Sequence, residues 1–326
     1  MPRLSVVLSL IALPGTALAE APRVVVDTAP LHALVSRVMA GVGTPDLLLP
    51  PGTSPHDFAL RPSDAARLSG AEVLIWTGPA LAPWLAEAAP TLAPGAATLA
   101  LLESPGWTAL PRRDDPRFEM TDASHDHGEI DDPATDAADD DHGEHDGHED
   151  HDDHGPTDPH AWLDPTVAAD WADLAAAHLA AADPANAALY ADNAAALRAD
   201  LSALDAEIAA RLVGLNGNYV VPHDAFQYFE VRHGLPAVAA ITLSDAAAPG
   251  LAHVAELREA LVAGEVVCLL TDPETNPDLA TQLAEGSGAR IALVDADGVH
   301  LTPGPDLYRD LMTGLADALV DCLGPS

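Results

Sequence analysis

The sequence predicts an α/β fold of two lobes, each a mostly parallel sheet flanked by helices, joined by a long rigid α-helix. Three observations carry this expectation. Short apolar runs alternate with helical patterns from Arg23 to Leu101, and the same alternation returns after Leu215. Between the two, about 28 residues run without Gly or Pro, or roughly 42 Å of helix. Strands alternating with helices at this pitch make βα units, whose parallel strands need helical crossovers.

The N-terminus reads as a secretory signal. Arg3 gives a weakly positive start, Leu4 to Leu13 is a short apolar core broken by Pro14-Gly15, and Ala17-Leu18-Ala19 fits the small-residue cleavage pattern. The run is too short to span a bilayer. No cysteine lies near the cleavage point, so the expectation is a soluble, exported, periplasmic chain from Glu20. In the first lobe, Val24-Val25-Val26 is a buried strand and Pro30 to Ala40 a helix, with proline in its first turn. Strands follow at Asp46–Leu49, Val73–Trp76 and Thr98–Leu101, with helices at Arg61–Leu68 and Leu81–Ala89. From Glu103 to Pro159 no periodicity is legible. The stretch Ala123–Gly155 is expected to be disordered without metal, because its low hydrophobicity and high charge cannot offset the entropy of ordering.

Thr166–Ala182 is a helix, and Asp183-Pro184 then supplies an N-cap with proline behind it. The long helix extends to Val213, with Leu189, Ala196, Leu197, Leu201, Leu204, Ile208 and Leu212 at helical spacing. Its length suits an inter-lobe strut; the plainer alternative is a surface helix of the second lobe. Strands are expected at Tyr219–Val221, Ala237–Ile241, Val266–Leu270 and Ile291–Val294. Helices are expected at Ala225–His233, Gly250–Ala263, Pro277–Gly286 and Asp306–Leu323. The domain reading is a signal at 1–19, a first lobe at 20–182 with a His/Asp-rich loop at 121–158, a linking helix at 183–214 and a second lobe at 215–326.

Composition narrows the function. Against 14 Lys and Arg stand 51 Asp and Glu, a formal net charge of -37. That balance argues against nucleic acid and anionic membrane surfaces and suits cations. The segment 121–158 holds 16 acidic residues, no Lys or Arg, and seven histidines: His125, His127, His142, His145, His148, His151 and His154. The last five recur every third residue, so several imidazoles can reach one ion. The acidity elsewhere is read as solubility. Cys268 and Cys322 form an even pair that suggests a disulfide in an exported chain, two buried thiols being the alternative.

Eight histidines lie outside that segment, and three of them fall on strand-end loops beside turn signals. His56 follows the second strand, His160 sits in Asp158-Pro159-His160-Ala161-Trp162, and His223 follows the first strand of the second half. Ligands of open α/β sheets bind at the carboxyl ends of strands, so these imidazoles are candidates for one borderline-soft divalent ion. Asp295 fits best as a carboxylate fourth ligand and Asp272 is its rival; Asp57 and Asp224 are candidates for orienting an imidazole. His32, His178, His233, His253 and His300 are read as structural. No HExxH, GxSxG or phosphate-cradling glycine loop appears, so no enzymatic activity is expected.

The segments Pro55-His56-Asp57-Phe58-Ala59-Leu60-Arg61-Pro62-Ser63-Asp64, Asp158-Pro159-His160-Ala161-Trp162-Leu163-Asp164-Pro165 and His223-Asp224-Ala225-Phe226-Gln227-Tyr228-Phe229 occur together in this order. In them the chain resembles the metal-binding subunits of bacterial zinc ABC importers, the ZnuA-like branch of the cluster A-I family. The resemblance covers essentially the whole mature chain. It implies two lobes joined by a rigid helix, metal between them, and ligand roles for His56, His160 and His223. Histidine rather than glutamate at the third position favours Zn²⁺ over Mn²⁺, a manganese-type relative being the alternative. A histidine-rich loop and the Cys268–Cys322 bridge also match zinc members. The sequence departs at Pro55 and Ala80, where some members carry acidic residues; Asp295, which aligns with an aspartate ligand of other members, or a water is then left as fourth ligand. The implied partner is a membrane permease, with room for a periplasmic zinc chaperone, and the chain is expected to be a monomer. A periplasmic zinc buffer without a transporter is the remaining alternative.

Overall fold

The structure, a computed structural model, describes residues 21–56, 58–118, 157–244, 247–273 and 277–325. The signal segment and the seven histidines of the acidic run lie outside the described residues.

Among the described residues, eight strands form two four-stranded parallel sheets of identical topology. The first holds β1 (Val24–Val26), β2 (Asp46–Leu47), β3 (Val73–Trp76) and β4 (Ala97–Ala100) in the order β2-β1-β3-β4. Helices α1 (Ala29–Val38), α2 (Pro62–Ser69) and α3 (Pro83–Leu92) make its crossovers. Helix α4 (Pro165–Ala182) then pairs with α5 (Ala187–Leu212). The second sheet holds β5 (Tyr219–His223), β6 (Ala239–Thr242), β7 (Cys268–Thr271) and β8 (Arg290–Leu293) in the order β6-β5-β7-β8. Helices α6 (Gln227–His233), α7 (Leu251–Ala263), α8 (Pro277–Ala284) and α9 (Leu307–Leu323) flank it. The central strands β1, β3, β5 and β7 are buried along their whole length, as continuous apolar runs between helical layers should be. Among the described residues no helix is long and apolar enough to cross a membrane.

Every element read from the sequence is present, with ends shifted by a few residues. Two details differ. The turn Pro184–Asn186 is a short 3-10 piece, so the straight part of the long helix is α5, about 39 Å at 1.5 Å per residue. Its buried stripe is Tyr190, Ala194, Leu197, Leu201, Leu204, Ile208 and Leu212, whereas Leu189 and Ala196 face solvent. The two lie one residue, about 100°, off a stripe advancing by alternate steps of three and four.

Helix α5 is fastened at both ends. Tyr190 Oη and Asn186 Nδ2 donate to Asp183 Oδ2 at 2.9 and 2.7 Å, fixing the turn from α4. Asn193 donates to the carbonyls of Val38 and Ala40, and Arg37 pairs with Asp200, on the α1 side. Arg309 and Asp317 of α9 pair with Glu207 and Arg211 on the other. Cys268 and Cys322 are joined in a disulfide that ties β7 to α9 across 54 residues.

The stretch 103–118, silent in the sequence, is ordered. Trp107, Leu110 and Phe118 pack against the main core, and Trp107 Nε1 donates to the Leu101 carbonyl. Pro111 bridges Thr157 and the Asp158 N–H donates to the Leu110 carbonyl, so the acidic run leaves and returns through a paired stem.

Candidate metal centre

Three local structures deliver the three histidines. His56 lies on the loop between β2 and α2. Ser54 Oγ accepts its backbone N–H at 3.1 Å, and Trp84 Nε1 of α3 donates to the preceding Pro55 carbonyl at 2.9 Å. His160 lies in a turn that proline narrows. Asp158 Oδ1 accepts both the His160 backbone N–H at 3.0 Å and its ring Nδ1–H at 2.9 Å. Beyond it Trp162, 1% exposed, donates to the Ala296 carbonyl, and Tyr308 Oη donates to the Trp162 carbonyl, clamping this first-lobe turn against the second lobe. His223 is the last residue of β5. Asp272 follows the adjacent strand β7, and its Oδ2 accepts from His223 Nδ1 at 3.1 Å.

The three imidazoles converge. His56 and His160 have ring centroids 5.2 Å apart, and His160 and His223 5.6 Å. His160 and His223 are each 2% exposed, while His56 is half-buried on the open side. His56 Nε2 stands 3.2 Å from His160 Nε2. Because His160 keeps its proton on Nδ1 to donate to Asp158, its Nε2 carries the lone pair and accepts from His56 Nε2–H. Two nitrogens about 2.0–2.1 Å from a tetrahedral Zn²⁺ would be about 3.3 Å apart. That pair is therefore spaced as an ion would require once the shared proton leaves. Among the described residues no group of three His, Cys, Asp or Glu side chains is yet arranged to hold a metal ion. What exists is convergence, with two imidazoles held through Nδ1 by carboxylates so that Nε2 is the ligating atom.

Burial sets the electrostatics. It pushes Asp158 up to about 7, against the opposing pull of the His160 backbone N–H and the Arg113 charge. Asp224 rises to about 6 and Glu230 to about 7 for the same reason, despite the guanidinium of Arg113 beside both. A divalent cation on His160 would draw Asp158 back to its ionised form.

The sequence points to Asp295 as fourth ligand, but no hydrogen bond among the described residues joins it to the histidines. Its Oδ1 accepts the Val299 N–H at 3.0 Å and its Oδ2 the His300 N–H at 2.9 Å. It closes a tight loop in which Gly298 has φ 66° and an added Cβ would meet Leu307 at 3.0 Å. Asp272 is the carboxylate beside His223, and it binds the ring rather than standing apart as a ligand. Of the candidate orienting residues, Asp57 lies outside the described residues and Asp224 pairs with Arg113 instead. Asp158 fills that role, and its signal was the Asp-x-His spacing, which lets one carboxylate reach both the backbone and the ring two residues on. His32 and His253 are structural, their Nε2–H groups donating to the Pro45 and Ala240 carbonyls.

Comparison with known proteins identifies the family. A family model described as the periplasmic component A of the zinc-uptake complex, ZnuA, matches residues 24–322. The chain belongs to the ZnuA family. The high-affinity zinc uptake system protein ZnuA of Paracoccus denitrificans is 40% identical over 323 residues, covering 98% of this chain and 97% of that one. A crystal structure of ZnuA superposes with a TM-score of 0.71 at 19% identity, covering 93% of this chain and all of that one. A zinc-bound ZnuA deletion mutant superposes at 0.70 and 19% identity, covering 94% and 99%. The ZnuA-family fold thus spans nearly the whole chain.

Proposed function

We propose that this ZnuA-family chain binds Zn²⁺ in the periplasm between its lobes and delivers it to the membrane permease of an ABC importer. The observation that carries the reading is the convergence of His56, His160 and His223, two of them oriented by buried carboxylates. His56 and His160 hold the ion from the first lobe and His223 closes it from the second. Asp158 and Asp272 fix the imidazoles so that each presents Nε2. The fourth position falls to Asp295, whose oxygens each accept one loop N–H and keep a further lone pair, or to a water. Three imidazoles suit zinc better than manganese. This is a carrier's site rather than an enzyme's: the ion is cargo, and the chain acts as a monomer.

The histidine-rich segment is proposed as an auxiliary collector. His125, His127, His142, His145, His148, His151 and His154 supply imidazoles in the stretch of chain that leads into the His160 turn. They would bind zinc weakly and pass it to the cleft.

Titration calorimetry of His223→Ala tests the central site. Zinc affinity should fall by more than the roughly 10–100-fold that loss of an orienting partner causes. Unchanged affinity would remove the cross-lobe site.

A further inference from the structure

The two deeply buried ligands, His160 and His223, come from different lobes, so something must fix their separation. The stem around Leu110–Arg113 runs beside the His160 turn and reaches helix α6, which follows His223. Tyr228 Oη of α6 accepts the Leu110 N–H at 2.9 Å and donates to the Asp158 carbonyl at 3.3 Å. The Gln227 amide, turned so that its nitrogen donates, reaches the Pro111 carbonyl at 2.9 Å and Asp158 Oδ2 at 3.1 Å. Arg113 makes a forked charged link in this contact. Its Nη1 donates to Asp224 Oδ1 at 2.8 Å and its Nη2 to Glu230 Oε2 at 2.6 Å. The two carboxylate side chains are 4% and 1% exposed and the arginine 20%. The guanidinium also stacks 3.8 Å from the Phe118 ring centroid. Farther along, Pro116 accepts the Ala240 N–H of edge strand β6, so the segment lies along the second lobe.

Asp224 is the residue after His223, and Asp158 holds His160. Arg113 therefore fastens the backbone next to one ligand to the stem beside the other, by a route that bypasses α5. A planar guanidinium gripping two carboxylates at fixed angles resists sliding in a way a single point charge does not.

We propose that Arg113 is a positioning residue for the metal: it clasps the lobes so that His160 and His223 stay at ligating separation, and it thereby sets how long zinc remains bound. The inference rests on the three-histidine reading above. The full-length chain loaded with Zn²⁺ tests it, with zinc dissociation followed by stopped flow against an excess of chromophoric chelator. Arg113→Ala should release zinc roughly tenfold faster, in the range seen when an outer partner of a metal ligand is lost. Arg113→Lys, which keeps the charge and not the fork, should fall between. Arg113→Ala strands two buried carboxylates, so the triple variant Arg113→Ala/Asp224→Asn/Glu230→Gln is the control. It should recover the melting temperature while still releasing zinc fast. Wild-type release from the triple variant would show that Arg113 only neutralises buried charge, and would overturn the proposal. His223→Ala, measured alongside, separates the two readings: if it weakens zinc binding while Arg113→Ala and Arg113→Lys release at the wild-type rate, the site stands and the clasp falls.

Discussion

Replacing Asp272 by Asn is the sharpest probe of how the second lobe holds its ligand. Asp272 is 7% exposed, and its Oδ2 accepts from His223 Nδ1 at 3.1 Å. Asparagine keeps the shape and can still offer one oxygen, so the bond survives as a neutral one. A charge-assisted hydrogen bond contributes about 1.5–3 kcal/mol against about 1 kcal/mol for a neutral bond. The difference, about 0.5–2 kcal/mol, corresponds to roughly 2–30-fold weaker zinc binding. Competition with a chromophoric chelator reads the affinity, and far-UV circular dichroism confirms that the fold is intact. Asp295→Asn is the companion. It removes half of the loop closure at Val299 and His300, so it should lower the melting temperature while changing zinc affinity less than Asp272→Asn does. The opposite ranking, with Asp295→Asn the more damaging to zinc binding, would make Asp295 a ligand and refute the assignment of Asp272 as the orienting carboxylate.

Three further outcomes are expected. Reducing Cys268–Cys322, which closes a loop of 54 residues, removes about 4 kcal/mol by chain entropy, so the melting temperature in reductant should fall on the order of 10 °C. Deleting residues 123–155 should lower zinc stoichiometry in calorimetry and leave one tight site; loss of that site would refute the division between collector and cleft. Asp27 is fully buried, and burial raises it from 3.8 to about 6. Its folded-state pKa is thus the higher one, so its contribution is greatest below about pH 4 and is lost as pH rises through about 6. Denaturant titrations from pH 4 to 7 should show this component, about 3 kcal/mol at most, as the part of the decline that Asp27→Asn removes, the rest coming from Asp158, Asp224 and Glu230.

The βα alternation and the three ligand loops were legible because both depend on local chemistry. Val24-Val25-Val26 has few alternatives to a buried strand, and a histidine beside proline at a strand end has few ways to point. What failed to show were pairings set by distant chain. Nothing local says that Asp272 will meet His223 from the next strand. Arg113 was invisible for the same reason. It lies in an aperiodic stretch, and its partners Asp224 and Glu230 are more than a hundred residues away. Leu189 and Ala196 failed differently: helical spacing gives a period, and only the packing against α1, α4 and α9 fixes its phase.

The identical strand order of the two sheets shows where the second lobe acquired its ligand. In each lobe the two central strands end side by side, and a polar pair crosses between those ends. In the first lobe Asp27, just after β1, accepts the Thr77 N–H just after β3 at 2.8 Å and lies wholly buried. In the second lobe His223, ending β5, meets Asp272 just after β7. An aspartate at that junction satisfies its oxygens on backbone amides and stays structural. An imidazole there uses one nitrogen for the crossing and has a second nitrogen to offer. The first lobe instead supplies His56 from the loop after edge strand β2 and His160 from the turn before α4. Peeling either lobe from α5 would expose members of its row Leu197, Leu201, Leu204 and Ile208, at about 1.5–3 kcal/mol for each side chain. The loop of His56 is held more lightly, by the Trp84 bond to Pro55, the Gly52 N–H to the Val299 carbonyl and the Phe58–Trp84 stack. The frame therefore fixes His160 against His223 and leaves His56 as the ligand that moves at least energetic cost.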